Sequence, residues 1–362
     1  MNKTNQFRSP FLLLIPIGLL LFGSACSNSI ANSEDVVSNK IIQNFEPKQK
    51  GVHVFRSLDT ASIQELVDNN FEWITYVPFG YQEDYDTESV RYRRGDPKRM
   101  ARRDSMWRSH MKLAHDAGLK VFLKPHIWMR VTTGGKWRSD IFPKNDENWE
   151  EWKKSYREFI LFYAEKAEQN EVDLFCIGAE LTRLTLEKSE FWETLIQDVR
   201  KVYSGKLTYA ANWYKEYENI TFWNQLDYIG VQAYFPLVKN EYPTVAEISN
   251  GWNKFLPNIE AVQKKYNRPV LFTELGYKST SNSAIKPWEW IDYSTDKNPP
   301  ISLETQANSY QAFFDAVWEK EWFAGVHIWQ WRADFDTSSG KENLDFTPQG
   351  KPAAQVIAKG FE

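Results

Sequence analysis

Phe175-Cys176-Ile177-Gly178-Ala179-Glu180-Leu181 and Val270-Leu271-Phe272-Thr273-Glu274-Leu275-Gly276-Tyr277 are two short apolar runs that each arrive at a glutamate. A run this brief and this apolar reads as a strand covered on both faces, the kind that builds parallel sheets. Similar runs recur along the chain, at residues 51–55, 72–77, 119–125, 173–179, 207–211, 227–233, 269–273 and 325–330, eight candidates in all. Between them lie stretches of helical period. Trp149, Trp152, Tyr156, Phe159, Ile160 and Tyr163 form one stripe, Trp192, Leu195, Ile196 and Val199 a second, and Tyr310, Phe313, Phe314 and Val317 a third. Eight strand-helix alternations predict a closed (β/α)8 barrel, a single α/β domain.

Segment lengths agree with that topology. Helix-to-strand joins are brief, as at Gly118 and Asn267-Arg268, whereas the strand-to-helix segments 78–99, 127–148, 235–245 and 275–302 are long. In such barrels the latter build the active site. They carry Trp128, Trp137, Trp288, Trp290 and Tyr293, part of an aromatic content of 15%. No dinucleotide-type glycine pattern follows the first strand, where Val54-Phe55-Arg56-Ser57 stands.

The N-terminus has its own reading. Lys3 and Arg8 precede an apolar run from Phe11 to Phe22, then Gly23, Ser24, Ala25 and Cys26. The run is too short to span a bilayer and reads as an export signal. Cys26 resembles the lipidated cysteine of bacterial lipoproteins, although Gly23 stands where that signal usually has Leu. The expected organisation is a signal at 1–26, a Ser/Asn-rich tether at 27–45 and a catalytic barrel at 46–362, anchored by lipid to the bacterial, outer, membrane. Cys176 has no second cysteine to pair with in the mature chain, a net charge of −4 with mixed signs argues against a nucleic-acid surface, and nothing calls for a cofactor or metal.

Glu180 and Glu274 end the fourth and seventh strand candidates. A carboxylate after so apolar a run is costly to desolvate and is rarely placed there for packing alone. Across one barrel mouth two carboxylates can stand ~5–5.5 Å apart, one attacking a sugar carbon while the other protonates the departing oxygen.

The segments around these glutamates resemble glycoside hydrolase family 113, the β-1,4-mannanases of the retaining barrel clan. The matching stretches are Leu123-Lys124-Pro125-His126-Ile127-Trp128, Ile177 to Leu181, Gly230-Val231-Gln232-Ala233-Tyr234-Phe235, Phe272 to Tyr277 and Ile328-Trp329-Gln330-Trp331, and the likeness runs over 51–361. It implies Glu180 as acid/base and Glu274 as nucleophile. The wider clan carries an Asn before the acid/base that grips the sugar 2-hydroxyl, whereas this chain has Ala179. It also implies an aromatic donor to the nucleophile at Tyr234.

Other candidate sugar-binding residues follow from strand alternation. Lys124 and His126 share a face and are expected on the floor of the site, bonding sugar or orienting Glu180. Asn212 closes the fifth strand and is a candidate for the missing 2-hydroxyl contact, or else a turn residue. Gln232 and Tyr234 share a face, as Trp329 and Trp331 are expected to do on the eighth strand. One of these two indoles is a candidate platform for the C–H face of a sugar ring, the other packing in the core, and Trp128, Trp137, Trp288 and Trp290 are candidates to extend that platform. Glu83, Asp84 and Asp334 are loop acids, of which Asp334 alone directly follows a strand. A β-mannan or related polysaccharide is the expected partner. Two other classes fit less well: a surface protein that binds glycan without cutting it, against which the carboxylate pair speaks, and a metal-dependent barrel hydrolase, for which five His with His53 standing alone are too few.

Overall fold

A computed structural model describes residues 47–55, 58–92 and 96–362. The export signal, Cys26 and the tether lie outside the described residues. The expected barrel is present. Strands β1 (Gln49–Phe55), β2 (Trp73–Tyr76), β4 (Lys120–Leu123), β6 (Leu174–Ala179), β7 (Lys206–Asn212), β8 (Ile229–Gln232), β9 (Val270–Leu275) and β10 (Phe323–Arg332) close on one another in that order, every neighbouring pair parallel. Each contains or overlaps one of the predicted runs, because a strand buried on both faces leaves an uninterrupted apolar signature.

The helices lay the predicted stripes on this sheet. In α3 (Asp146–Gln169) the side chain of Asn145 caps the first turn by accepting from the Asn148 amide, Asp146 and Glu147 face the positive end of the helix dipole, and Trp152, Tyr156, Phe159, Ile160 and Tyr163 are buried. Trp192, Leu195, Ile196 and Val199 are the buried face of α5 (Ser189–Arg200). The third stripe begins in α8 (Leu303–Phe313) and continues through a π turn, Phe314–Trp318.

One part of the barrel mouth departs from expectation. The segments read as loops after the second and third staves contain short strands β3 (Phe79–Gln82) and β5 (His126–Met129), which pair in parallel with each other and not with the barrel. Each is four residues long, and its parallel ladder runs to the other segment, with one further bridge from Tyr81 of β3 to Arg91, so neither carries a local signature.

The staves that bear the glutamates are irregular at their ends. Between β6 and β7 the register runs Cys176 to Thr208 and then Ala179 to Ala210, and between β8 and β9 it runs Val231 to Phe272 and then Gln232 to Glu274. Each is an extra residue on the glutamate's strand. Such bulges re-aim the side chains that follow them. Gly178 belongs to this device, since a Cβ there would lie 2.6 Å from the Tyr156 hydroxyl and 3.0 Å from Trp192.

Candidate active site

Glu274 is 4% exposed and sits in a ring of buried polar groups. The Lys124 ammonium, itself fully buried, donates to its Oε1 at 2.5 Å, and the Tyr234 hydroxyl donates to its Oε2 at 2.7 Å. Lys124 also donates to Gln232 Oε1 and to the Thr273 carbonyl, both at 3.2 Å. Nε2 of His126 and of His53 stand 3.7 and 3.9 Å from Glu274 Oε1. Burial, reinforced by the Lys124 charge, holds both imidazoles well below the usual histidine range, so they face the carboxylate as neutral rings. Burial also lowers Lys124 while Glu274 opposes that shift, and it raises Tyr234, which the neighbouring Glu274 raises further.

Lys124 and His126 therefore do share a face, but the carboxylate they serve is Glu274 and not Glu180. The reason lies in the barrel's closure: a side chain at the end of the third stave points to the interior, where Lys124 reaches across to the seventh. Gln232 and Tyr234 join the same cluster from the sixth. Nε2 of His53, His126 and Gln232 has no hydrogen-bond partner among the described residues. Ordered water or a hydroxylated ligand would satisfy such groups.

Glu180 is 8% exposed, and its backbone is left-handed, with φ of 55°. Arg138 Nε donates to Glu180 Oε2 at 2.7 Å, while Nη1 of the same guanidinium donates to the Ile127 carbonyl at 3.2 Å and the guanidinium carbon lies 4.8 Å from the centre of the Trp137 ring. Arg138 opens a 3-10 turn, Arg138–Asp140, in the segment after β5. Sequence reasoning missed it, because an arginine in a polar segment reads as surface. Both glutamates belong to one mouth, because each stands at the C-terminal end of a stave in a closed barrel whose staves are all parallel.

Aromatic side chains rim this mouth. Trp329 lies against His53 at 5.0 Å between ring centres and is 7% exposed, and Trp290, 60% exposed, meets it edge-on at 6.0 Å. Trp288 stacks on Trp213 at 5.2 Å with 24° between the planes. Trp128 is half exposed beside Phe79 on the β3–β5 ribbon, and Trp137 and Tyr293 are also exposed.

Trp331 corrects an expectation. It does not share a face with Trp329 but packs in the main core against Phe71, at 5.3 Å. Where β1 pairs with β10, Val52 matches Ile328 and Val54 matches Trp331, so β10 has one extra residue there and the two-residue alternation is broken between the tryptophans. The Trp329-Gln330 peptide in that interval is cis.

Asn212 lies at the end of β7 as expected, but its amide nitrogen is committed to Thr182 Oγ1 (2.9 Å) and Glu216 Oε2 (3.2 Å), which leaves only its Oδ1 to meet a ligand. Glu83 pairs with Arg130 and Asp334 with Arg332, both at the surface.

The family model described as Glycoside Hydrolase Family 113 matches residues 49–351. Among solved structures, a GH113 β-1,4-mannanase is 28% identical with a TM-score of 0.75, over 87% of this chain and 99% of its own. A GH113 β-mannanase from Alicyclobacillus acidocaldarius is 27% identical with a TM-score of 0.74, over 87% of this chain and 97% of its own. The β-glucuronidase of Faecalibacterium prausnitzii, 13% identical with a TM-score of 0.55 over 88% of this chain and 49% of its own, shares the fold. No curated protein matches. A closed eight-stave barrel with a glutamate at the mouth end of the fourth stave and of the seventh, matched by the family's model over 49–351, identifies the chain as a member of glycoside hydrolase family 113.

Proposed function

We propose that this glycoside hydrolase cleaves β-1,4-linked mannan or manno-oligosaccharides with retention of configuration. Glu274 attacks the anomeric carbon, and Glu180 first protonates the leaving oxygen and then deprotonates the water that releases the glycosyl-enzyme. The observation that carries this reading is Glu274 oriented on both oxygens by Lys124 and Tyr234 at the end of the seventh stave, with Glu180 following the fourth stave of the same parallel barrel. The substrate follows from the named activity of the family relatives. Trp329 is the indole best placed to stack under the sugar that reacts, beside His53 and Tyr234. The exposed Trp128, Trp137, Trp288 and Trp290 suit further sugar units on a polymer and hence cleavage within the chain.

Glu274→Ala and Glu180→Ala are expected to lower turnover of soluble β-mannan by about three orders of magnitude or more. NMR of the first-formed product is expected to show the β-anomer, and mannan is expected to be preferred over glucomannan, xylan and cellulose. Inverted product, or either variant keeping wild-type turnover, would refute the mechanism. We also propose that the protein is exported and anchored through a lipid on Cys26; labelling of wild type but not of Cys26→Ala with a radioactive fatty acid is the expected result, and equal labelling would remove the anchor.

A further inference from the structure

Glu216 is a second kind of carboxylate near the site. It is fully buried in the turn after β7, and its two oxygens accept five hydrogen bonds. Oε1 accepts from the Tyr209 hydroxyl (2.7 Å) and Thr185 Oγ1 (3.0 Å). Oε2 accepts from Thr182 Oγ1 (2.9 Å), the Asn212 amide (2.8 Å) and Asn212 Nδ2 (3.2 Å).

These donors converge on the residue that precedes them. Thr182 and Thr185 form the first turn of α4 (Thr182–Glu187), which starts two positions after Glu180. The Tyr209 hydroxyl that donates to Glu216 accepts from the Leu181 amide at 2.7 Å. On the other side, the Glu180 amide donates to the Ala210 carbonyl at 2.9 Å. Glu180 is thus a left-handed, non-glycine residue clamped on both sides, a conformation that persists only where the surroundings over-determine it. We propose that Glu216 is a positioning residue for the acid/base: it holds Leu181 and the start of α4 so that the left-handed turn at Glu180 aims that carboxylate at the leaving oxygen.

The inference rests on Glu180 being the acid/base. The donors to Glu216 and the donors to the Glu274 carboxylate, Lys124 and Tyr234, are different residues, so the nucleophile has its own support. Burial raises the Glu216 carboxyl to about 7 against the pull of the Asn212 backbone amide and the Tyr209, Thr182 and Thr185 hydroxyls. A group so placed weakens the fold when ionised, which argues that it is kept for geometry and not for stability.

The test separates positioning of the acid from general loosening. Glu216→Gln, Tyr209→Phe and Glu180→Ala are made in the full chain and assayed on β-mannan, whose leaving group needs a proton, and on a dinitrophenyl β-mannobioside, whose leaving group does not. Glu216→Gln is expected to lower kcat/KM on mannan about 10- to 100-fold, through kcat with KM nearly unchanged, and on the activated substrate less than about threefold. Tyr209→Phe follows with about a tenfold loss on mannan only, and carries the test should Glu216→Gln fail to fold by circular dichroism. Equal losses on both substrates, or none on mannan, overturn the positioning role. If Glu180→Ala itself lacks the contrast, the acid assignment falls and takes this proposal with it; if Glu180→Ala has the contrast and the other two variants lack it, only the positioning role falls.

Discussion

Glu274 and Glu180 stand at the ends of two staves of one barrel and are held in different ways. Side chains hold Glu274: a fully buried ammonium on one oxygen, a phenol on the other, two neutral imidazoles alongside. Backbone holds Glu180: a bulge, a left-handed turn and the Glu216 network behind it, with one side-chain partner among the described residues, Arg138, from a partly exposed segment. The difference suits the proposed division of labour. A nucleophile works only as the anion, so permanent buried donors help it throughout the cycle. An acid/base alternates between two protonation states, and a buried lysine on it would favour one of them.

The largest effect expected from breaking this contrast comes from Lys124→Met. It removes the buried cation beside a buried carboxylate, a loss worth about 3–5 kcal/mol where only one partner goes. About a thousandfold loss of kcat/KM is expected, on mannan and on an activated aryl glycoside alike, together with a lower melting temperature. A loss confined to mannan would mean that Lys124 serves the acid instead. Tyr234→Phe comes next, with about a 10- to 100-fold fall in kcat, again independent of the leaving group. Arg138→Ala should do least, about tenfold or less in steady-state rate and mainly on mannan, because its guanidinium is partly solvated and its partner is aimed chiefly by backbone. If Arg138→Ala were to match Lys124→Met, the two carboxylates would be held alike and the contrast would disappear.

How much could be read beforehand follows from the same contrast. Glu274 and most of its ring were legible as inward-facing residues: Lys124 and Gln232 lie within apolar runs and His126 and Tyr234 one residue past them, although the sequence reading paired Lys124 and His126 with Glu180 and passed over His53. Glu180 was legible as a strand-end acid, but its support was not. Arg138 lies 42 positions away in a polar segment, and Glu216, in Trp213-Tyr214-Lys215-Glu216-Tyr217, looks like a solvated turn. The β3–β5 ribbon and the separation of Trp331 from Trp329 were invisible for a related reason. A four-residue pairing and a one-residue bulge are properties of two segments at once, and no local pattern records them.

By itself, the order of apolar runs along this chain determined that eight staves would form, which faces of α3 and α5 would turn inward, and which two staves would end in glutamate. Those are consequences of burial, which acts residue by residue and leaves its period in the string of side chains. Only the closed barrel decided that the third stave's lysine would meet the seventh stave's carboxylate, that an arginine from the rim would meet the fourth's, and that Glu216, from the turn after the fifth stave, would be sealed behind the turn at Glu180. Hydrogen bonds and ion pairs are directional and act over a few ångströms, so their partners exist only after closure has brought distant segments within that reach.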